Sequence, residues 1–427
     1  MIAHINPNVL NGNINAPFSK SDAHRALIAS ALCKTPTEIT GSCESDDLLA
    51  TVRCLEALGA RLVTLDEKKQ IHRMEPIPAL SAYSVPVLDC GESGTTLRLL
   101  LPVVAALRIS ANFTAKGRLP ERPLGELIAT LVQNGTKFDA TKLPFSISGS
   151  LKSGDFRLPG NISSQYISGL LFALPLLEDS SRIMLTTRLE SVAYVEMTRR
   201  TLETFGVCSS LIDENSYGVQ GNQVYKTPGS IKVEGDWSNA AFFLAAGALG
   251  GSTTVSGLSE TTLQGDHAIS KLLSEFGANV KTDDTSVSVS AGELRAMDID
   301  VSEIPDLFPI LAVIASAAQG TTRLMNAARL RIKESDRINA VAKMLNALGA
   351  DTEELPDALV IKGKPQLTGG TVDSAGDHRI VMAAAIASIL CKNPVTIIGA
   401  EAVSKSYPHF FNDFNKMGGN ANVVNNG

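Results

Sequence analysis

"DLFPILAVIASAAQG" (306–320), "TTRLMNA" (321–327) and "SDRINAVAKMLNALG" (335–349) follow one another along the chain and decide its architecture. The first stretch is apolar around its whole circumference, the pattern of a helix buried on every side. The second reads as a short strand. The third confines its apolar residues to Ile338, Val341, Ala342, Leu345 and Leu348, close to the i, i+3, i+4, i+7 spacing of a one-sided helix. It closes on Gly349, the residue type best suited to the left-handed turn that ends helices. "ADTEEL" (350–355) and "ALVIKG" (358–363) then read as a strand pair. With a strand in front, the segment is a βαβαββ unit, one sheet with two helices on a face.

The unit recurs. "LEALGA" (55–60), "LVQNGT" (131–136), "LETFGV" (202–207), "LSEFGA" (273–278), "LNALGA" (345–350) and "FNKMGG" (414–419) each end an amphipathic helix on a glycine. Gly59, Gly135, Gly206, Gly277, Gly349 and Gly418 stand 69–76 residues apart. That period exceeds those of ordinary solenoids, so each repeat is a small packed module. The first helix of each repeat is nearly all Ala, Leu, Ile and Val. Six such helices must bury one another, as two groups of three.

Composition sets the outer bounds. A chain of 427 residues, 44% hydrophobic and 19% charged, is long enough for two or three domains with sizeable cores. Its net charge of −6 disfavours nucleic acid and anionic membrane surfaces as partners. "IVMAAAIASILC" (380–391) is shorter than the roughly 18 apolar residues a membrane span needs, and reads as a core helix. "MIAHINPNVLNG" lacks the basic and apolar regions of a secretory signal. Cys33, Cys43, Cys54, Cys90, Cys208 and Cys391 contain no C-x-x-C and read as reduced thiols of a cytoplasmic protein. The histidines form no spaced ligand cluster, so no metal is expected.

Polar residues gather before the inner helices: "SKSDAHR" (19–25), "GESGTTLR" (91–98), "GNISSQ" (160–165), "EGDWSN" (234–239), "EIPD" (303–306) and "GDHR" (376–379). Capping of free backbone N–H groups accounts for Asp22, Ser238 and Asn239. Asp46 and Asp47 in "ESDDLL" read as caps rather than as catalytic carboxylates. Capping does not account for Lys20, Arg25, Arg98 and Arg379. A cation beside a helix N-terminus opposes the dipole unless an anion lies between them, and with an anion the arrangement is a phosphate site. The loops before the second helices add "KGRLPERP" (116–123), "RLESVAY" (188–194), "RLRIKESDR" (329–337) and "SKSYP" (404–408). Repeats stacked in register would bring Lys20, Arg25, Arg98, Arg122, Lys333, Arg337, Arg379 and Lys405 to one cleft. Such a cleft suits a ligand set carrying a phosphate and a carboxylate. "GESGTT" lacks the G-K-[ST] ending of a P-loop, which argues against ATP. His378 reads either as a capping or core histidine or as a ligand contact. Glu334 reads either as part of a surface ion-pair face or as a reactive carboxylate.

"SKSDAHRAL", "ESGTTLRLL", "LPERPLG", "SSQYISGLL", "IPDLFPILAVIA", "RIKESDRI", "GDHRIVMA" and "SKSYP", in this order from Pro17 to Pro408, resemble the 5-enolpyruvylshikimate-3-phosphate synthase family. The resemblance implies an α/β protein, a two-domain inside-out α/β barrel of six βαβαββ repeats, three per domain. It places residues 1–16 and 234–427 in a first, discontinuous domain with Asp306, Glu334, Arg379 and Lys405. Residues 17–233 form the second, with Lys20, Arg25, Arg122 and Ser163 to Gln165. The implied reaction moves the enolpyruvyl group of phosphoenolpyruvate to the 5-hydroxyl of shikimate 3-phosphate, without cofactor or metal, in a cytoplasmic monomer.

Carried over residue by residue, the resemblance gives shikimate 3-phosphate to Lys20, Ser21, Arg25, Ser163, Ser164, Gln165, Ser191, Tyr194, Asp306 and Lys333. It gives phosphoenolpyruvate to Lys20, Gly94, Arg122, Gln165, Arg337, Arg379 and Lys405. Asp306 would take the proton of the 5-hydroxyl, Glu334 would handle the proton at the methylene carbon, and Lys20 would share the proton work. Arg329 departs from the family pattern, standing where many relatives have an asparagine that contacts the shikimate ring. The related UDP-N-acetylglucosamine enolpyruvyl transferases usually carry a reactive cysteine in the loop matching residues 116–125, and this loop has none. RNA 3′-phosphate cyclases use similar units but need a nucleotide site and a more basic surface. A binding protein without catalysis could keep the cations and dispense with Asp306 and Glu334.

Overall fold

A computed structural model describes residues 1–78 and 85–425. The chain divides into two compact units, Phe18–Val233 and Met1–Pro17 with Glu234–Gly427. Pro17, which the expected boundary gave to the second domain, falls in the discontinuous unit, where its carbonyl accepts from the Asp236 amide at 2.8 Å.

Among the described residues, unit Phe18–Val233 holds six α-helices: α1 (Lys20–Ala31), α2 (Asp46–Ala57), α3 (Gly94–Ala106), α4 (Gly125–Gln133), α5 (Ser164–Ala173) and α6 (Val192–Thr204). The discontinuous unit holds α7 (Trp237–Ala248), α8 (Ala268–Phe276), α9 (Phe308–Ala317), α10 (Arg337–Ala347), α11 (His378–Ala387) and α12 (Phe410–Lys416). Odd-numbered helices are the apolar inner ones. Every residue of α7 and of α11 is buried. The helices α7, α9 and α11 pack on one another, and α3 packs on α1 and α5. In α1, α3 and α5 the residues that escape burial are Lys20, Ser21, Asp22, Thr95 and Gln165. All five lie in the first turn, so these helices meet solvent only where their N–H groups are free.

Among the described residues each unit carries three four-stranded sheets. The α9–α10 segment supplies one: Ile299–Asp300 lies parallel to Thr321–Met325, which pairs antiparallel with Leu359–Lys362, and Asp351–Glu354 closes the edge. All six sheets share this order, first, second, fourth, third, with only the first pair parallel. The six helix-ending glycines all adopt left-handed backbone, with φ between 71° and 107°. An L-residue in that region is strained, which explains the constancy of the residue type.

Three strands are supplied to their sheets from elsewhere in the chain. Asn11–Asn15, which precedes α1 in sequence, pairs instead with Ser252–Ser256 of the α7 repeat. Ser230–Lys232 takes the corresponding place beside Thr37–Thr40 of the α1 repeat. Ile2–Asn6 sits between Val395–Ile398 and Asn420–Val424 and completes the last sheet. These exchanges make one unit discontinuous. Among the described residues no helix is long and apolar enough to cross a membrane. All six cysteines are unpaired thiols, five buried and Cys208 exposed.

Candidate functional site

In Phe18–Val233 the candidate residues cluster at the first turns of α1, α3 and α5 and the loops beside them. The side chain of Ser19, not Asp22, caps α1, accepting from the Asp22 amide. Lys20 Nζ lies 2.7 Å from Asp47 Oδ2, an ion pair only 15% and 11% exposed. Asp47 was expected to cap α2, but Ser45 does so. Arg25 is 2% exposed and fixed on three sides: Nε donates to Thr198 Oγ1 (2.9 Å), and its two terminal nitrogens to the carbonyls of Ser21 (2.6 Å) and Tyr194 (2.8 Å). Burial pulls its guanidinium down to about 10. Thr198 passes the chain on to Ser168 Oγ at 2.8 Å.

Gly94 opens α3. A Cβ there would lie 2.8 Å from a terminal nitrogen of Arg122 and 2.8 Å from one of Arg98, so glycine lets two guanidinium groups reach the helix N-terminus. Arg98 belongs to the frame: it donates to Gln165 Oε1 (3.0 Å) and the Pro123 carbonyl (3.1 Å), and lies 5.7 Å from the Tyr166 ring centre. Gln165 Nε2 donates in turn to Thr95 Oγ1 (2.8 Å). Ser163 caps α5 through the Gln165 amide, and Ser164 is buried. Ser191, also buried, is held at φ +56° directly before α6, and its carbonyl accepts from the Tyr194 amide. Left-handed backbone costs a non-glycine residue about 1–2 kcal/mol, a strain that tends to persist where a side chain must be aimed.

In the discontinuous unit the centre is Arg337, 1% exposed. Its Nε donates to Asp377 Oδ2 (2.9 Å), one terminal nitrogen to Asp306 Oδ1 (2.6 Å), the other to Glu334 Oε2 (2.9 Å). Three carboxylates thus share one guanidinium. Arg379 donates to the second oxygen of Asp306 at 2.9 Å. Burial alone would raise the Asp306 carboxyl, but Arg379, Arg337 and Lys333 hold it well below the usual carboxylate range. Lys333 is pulled the other way. Burial, opposed by Asp306 and aided by Arg329, brings its amine down to about 7. Lys405 Nζ donates to the Gly376 carbonyl at 2.7 Å, beside the Asp377 cap of α11. His378 is buried, with Nδ1 3.7 Å from Asp377 Oδ1. Arg329 donates to the Ser302 carbonyl and is 9% exposed. Among the described residues no group of three or more His, Cys, Asp or Glu could hold a metal ion.

Cations at helix entrances call for anions beside them. Part of that requirement is met by the protein itself, through Asp47 at Lys20 and Asp306 at Arg337 and Arg379. Several residues of these networks were not singled out from the sequence: Thr198, Ser168, Asp266, and Asp377 as a partner of Arg337. Ser238 and Asn239 do not cap α7; Asp236 does, through the Asn239 amide, while Ser238 Oγ donates to the buried Asp266. A signal for Asp266 was present, because "GDH" occurs at 265–267 and again at 376–378.

Cations and carboxylates held around the N-terminal turns of the inner helices form an arrangement suited to small, highly anionic ligands. The family model described as EPSP synthase (3-phosphoshikimate 1-carboxyvinyltransferase) matches residues 5–414. The chain belongs to this family. It is 42% identical to the 3-phosphoshikimate 1-carboxyvinyltransferase of Clostridium novyi over 97% of this chain and 96% of that one. It is 43% identical to the enzyme of the same name from Clostridium perfringens, over 97% and 98%. The solved EPSP synthase of Acinetobacter baumannii superposes with a TM-score of 0.83 at 26% identity, covering 99% of this chain and all of that one.

Proposed function

We propose that this chain transfers the enolpyruvyl group of phosphoenolpyruvate to the 5-hydroxyl of shikimate 3-phosphate, releasing inorganic phosphate. The observation that carries the reading is Asp306 set between the guanidiniums of Arg337 and Arg379, with Glu334 on the same Arg337. In the reaction, a proton adds to the methylene carbon of phosphoenolpyruvate and the 5-hydroxyl oxygen attacks the neighbouring carbon, losing its own proton. The tetrahedral adduct then loses phosphate, and a proton leaves the new methyl group to restore the double bond. Two carboxylates in unlike settings can divide these transfers.

Asp306 is a weak base while both arginines hold it. An incoming anion that shares Arg337 and Arg379 withdraws part of that stabilisation, so the carboxylate gains proton affinity as the substrate arrives. Asp306 then takes the hydroxyl proton, Glu334 serves the carbon, and Lys20 shares in the proton transfers. Arg122, Arg337, Arg379 and Lys405 hold phosphoenolpyruvate with Lys20, Gln165 and the bare backbone of Gly94, and stabilise the departing phosphate. Ser21, Arg25, Ser163, Ser164, Gln165, Ser191, Tyr194 and Lys333 hold shikimate 3-phosphate with Lys20 and Asp306. The reading places the protein in the cytoplasm as a monomer and asks for no cofactor.

The test is phosphate release from purified protein, with each substrate omitted in turn and a chelator present. Release that needs both substrates and survives the chelator supports the reading. No release from protein that binds both ligands by calorimetry refutes it.

A further inference from the structure

Asp266 lies in the short turn before α8 and is 1% exposed. Its Oδ2 accepts from Ser238 Oγ. The carbonyl of the same Ser238 accepts from Arg379 at 3.4 Å, and Arg379 donates to Asp306 at 2.9 Å. A continuous path therefore runs Asp266, Ser238, Arg379, Asp306. Its Oδ1 is buried with no hydrogen-bond partner among the described residues, and so is Nε of Arg379. A buried, half-satisfied carboxylate is costly when ionised. Burial first, and then the charge of Asp306, push its carboxyl up to about 7, against the pull of Arg379 and Ser238. The groups facing it are Asp236 and Ser238 of the α7 entrance, Asp306 before α9 and Arg379 of α11. Its neighbour His267 is engaged elsewhere, with Nδ1 2.8 Å from the Gln264 carbonyl.

We propose that Asp266 is a positioning residue for the transfer: by holding a proton while an anion occupies Arg379, it leaves that guanidinium free to serve the substrate and Asp306 together. When Asp266 is ionised, it competes for the charge of Arg379 and substrate binding weakens. By linkage, arrival of the anion raises the proton affinity of Asp266, so binding takes up a proton. This inference rests on the transferase reading, in which Arg379 meets phosphoenolpyruvate.

The experiment measures KM for phosphoenolpyruvate and kcat from pH 6 to 8, at saturating shikimate 3-phosphate, for wild type, Asp266→Asn and Ser238→Ala. Asp266→Asn cannot ionise. The ratio of wild-type to variant KM should therefore widen about fivefold across this range, the part of roughly one pKa unit of coupling that falls between pH 6 and 8 for a carboxyl near 7. Calorimetry in buffers of different ionisation enthalpy should show proton uptake on binding that the variant lacks. Ser238→Ala removes the donor that favours the ionised form, so the rise in KM should move to higher pH. It also answers the question should Asp266→Asn not fold. A purely structural role would lower kcat or thermal stability alike at every pH and leave the KM profiles parallel. Parallel profiles in an active enzyme overturn the role of Asp266 alone, whereas a wild type that releases no phosphate overturns the transferase reading.

Discussion

Replacing Gly94 with alanine should weaken phosphoenolpyruvate binding and leave shikimate 3-phosphate almost untouched. The new Cβ would stand 2.8 Å from terminal nitrogens of both Arg122 and Arg98, whereas ordinary contact begins near 3.4 Å, so a retreat of roughly 0.6 Å is forced. Arg98 has little room to give, because Gln165, the Pro123 carbonyl and the Tyr166 ring fix it. Both guanidiniums must nevertheless give way, and Arg122 is the one assigned to phosphoenolpyruvate. A hydrogen bond to a charged group is worth about 1.5–3 kcal/mol, and losing a substantial part of one contact corresponds to about tenfold in KM. The substitution lies in the first turn of α3, and alanine favours helix over glycine by up to about 1 kcal/mol, so the fold should hold. Phosphate release measured against each substrate gives both KM values, and a melting curve checks the fold. A KM for phosphoenolpyruvate within twofold of wild type would refute the steric argument. An equal rise for shikimate 3-phosphate would refute the assignment of Arg122.

Asp306→Asn should cut kcat by about 10²–10⁴ while both KM values stay within a few-fold, as read by the same assay. Lys333, with its amine near 7, loses its charge as pH rises. Calorimetric affinity for shikimate 3-phosphate should therefore fall from pH 6 to 8, and Lys333→Arg should flatten that slope. Because the folded chain holds this proton less tightly than the unfolded one, Lys333 makes stability rise with pH between about 7 and 10. Arg337→Met would strip the shared cation from Asp306, Glu334 and Asp377; breaking a buried pair in this way costs about 3–5 kcal/mol. The urea midpoint should fall accordingly, and an unchanged midpoint would show that these carboxylates do not need Arg337.

The repeats were legible because each helix end needs a left-handed residue, and that need writes a glycine into the sequence at a fixed phase. Inner helices were legible because burial on all sides admits no charge. Strand exchange was not. Asn11–Asn15 and Ser230–Lys232 are short, and nothing in either names its partner; pairing is settled by which sheet has a vacant parallel edge. The cations of the site were visible because they defy the helix dipole. Their carboxylate partners were harder to see. Asp47 and Asp377 sit where caps are expected, so a local explanation was available for residues whose contacts are remote. Asp266 hid for a similar reason, since an acidic residue before a helix arouses no question until its burial is known.

The N-terminal strand bears on how the chain could be rewired. Ile2 stands opposite Val424 in one antiparallel ladder, so the first and the last described strands are neighbours. A short linker could join them, and the ring could be reopened between Pro17 and Phe18. Each unit would then be one uninterrupted stretch, and a single covalent crossing would remain where there are now two. Every strand pairing would be retained. Such a permuted chain would separate what the sheets contribute from what the second tether contributes.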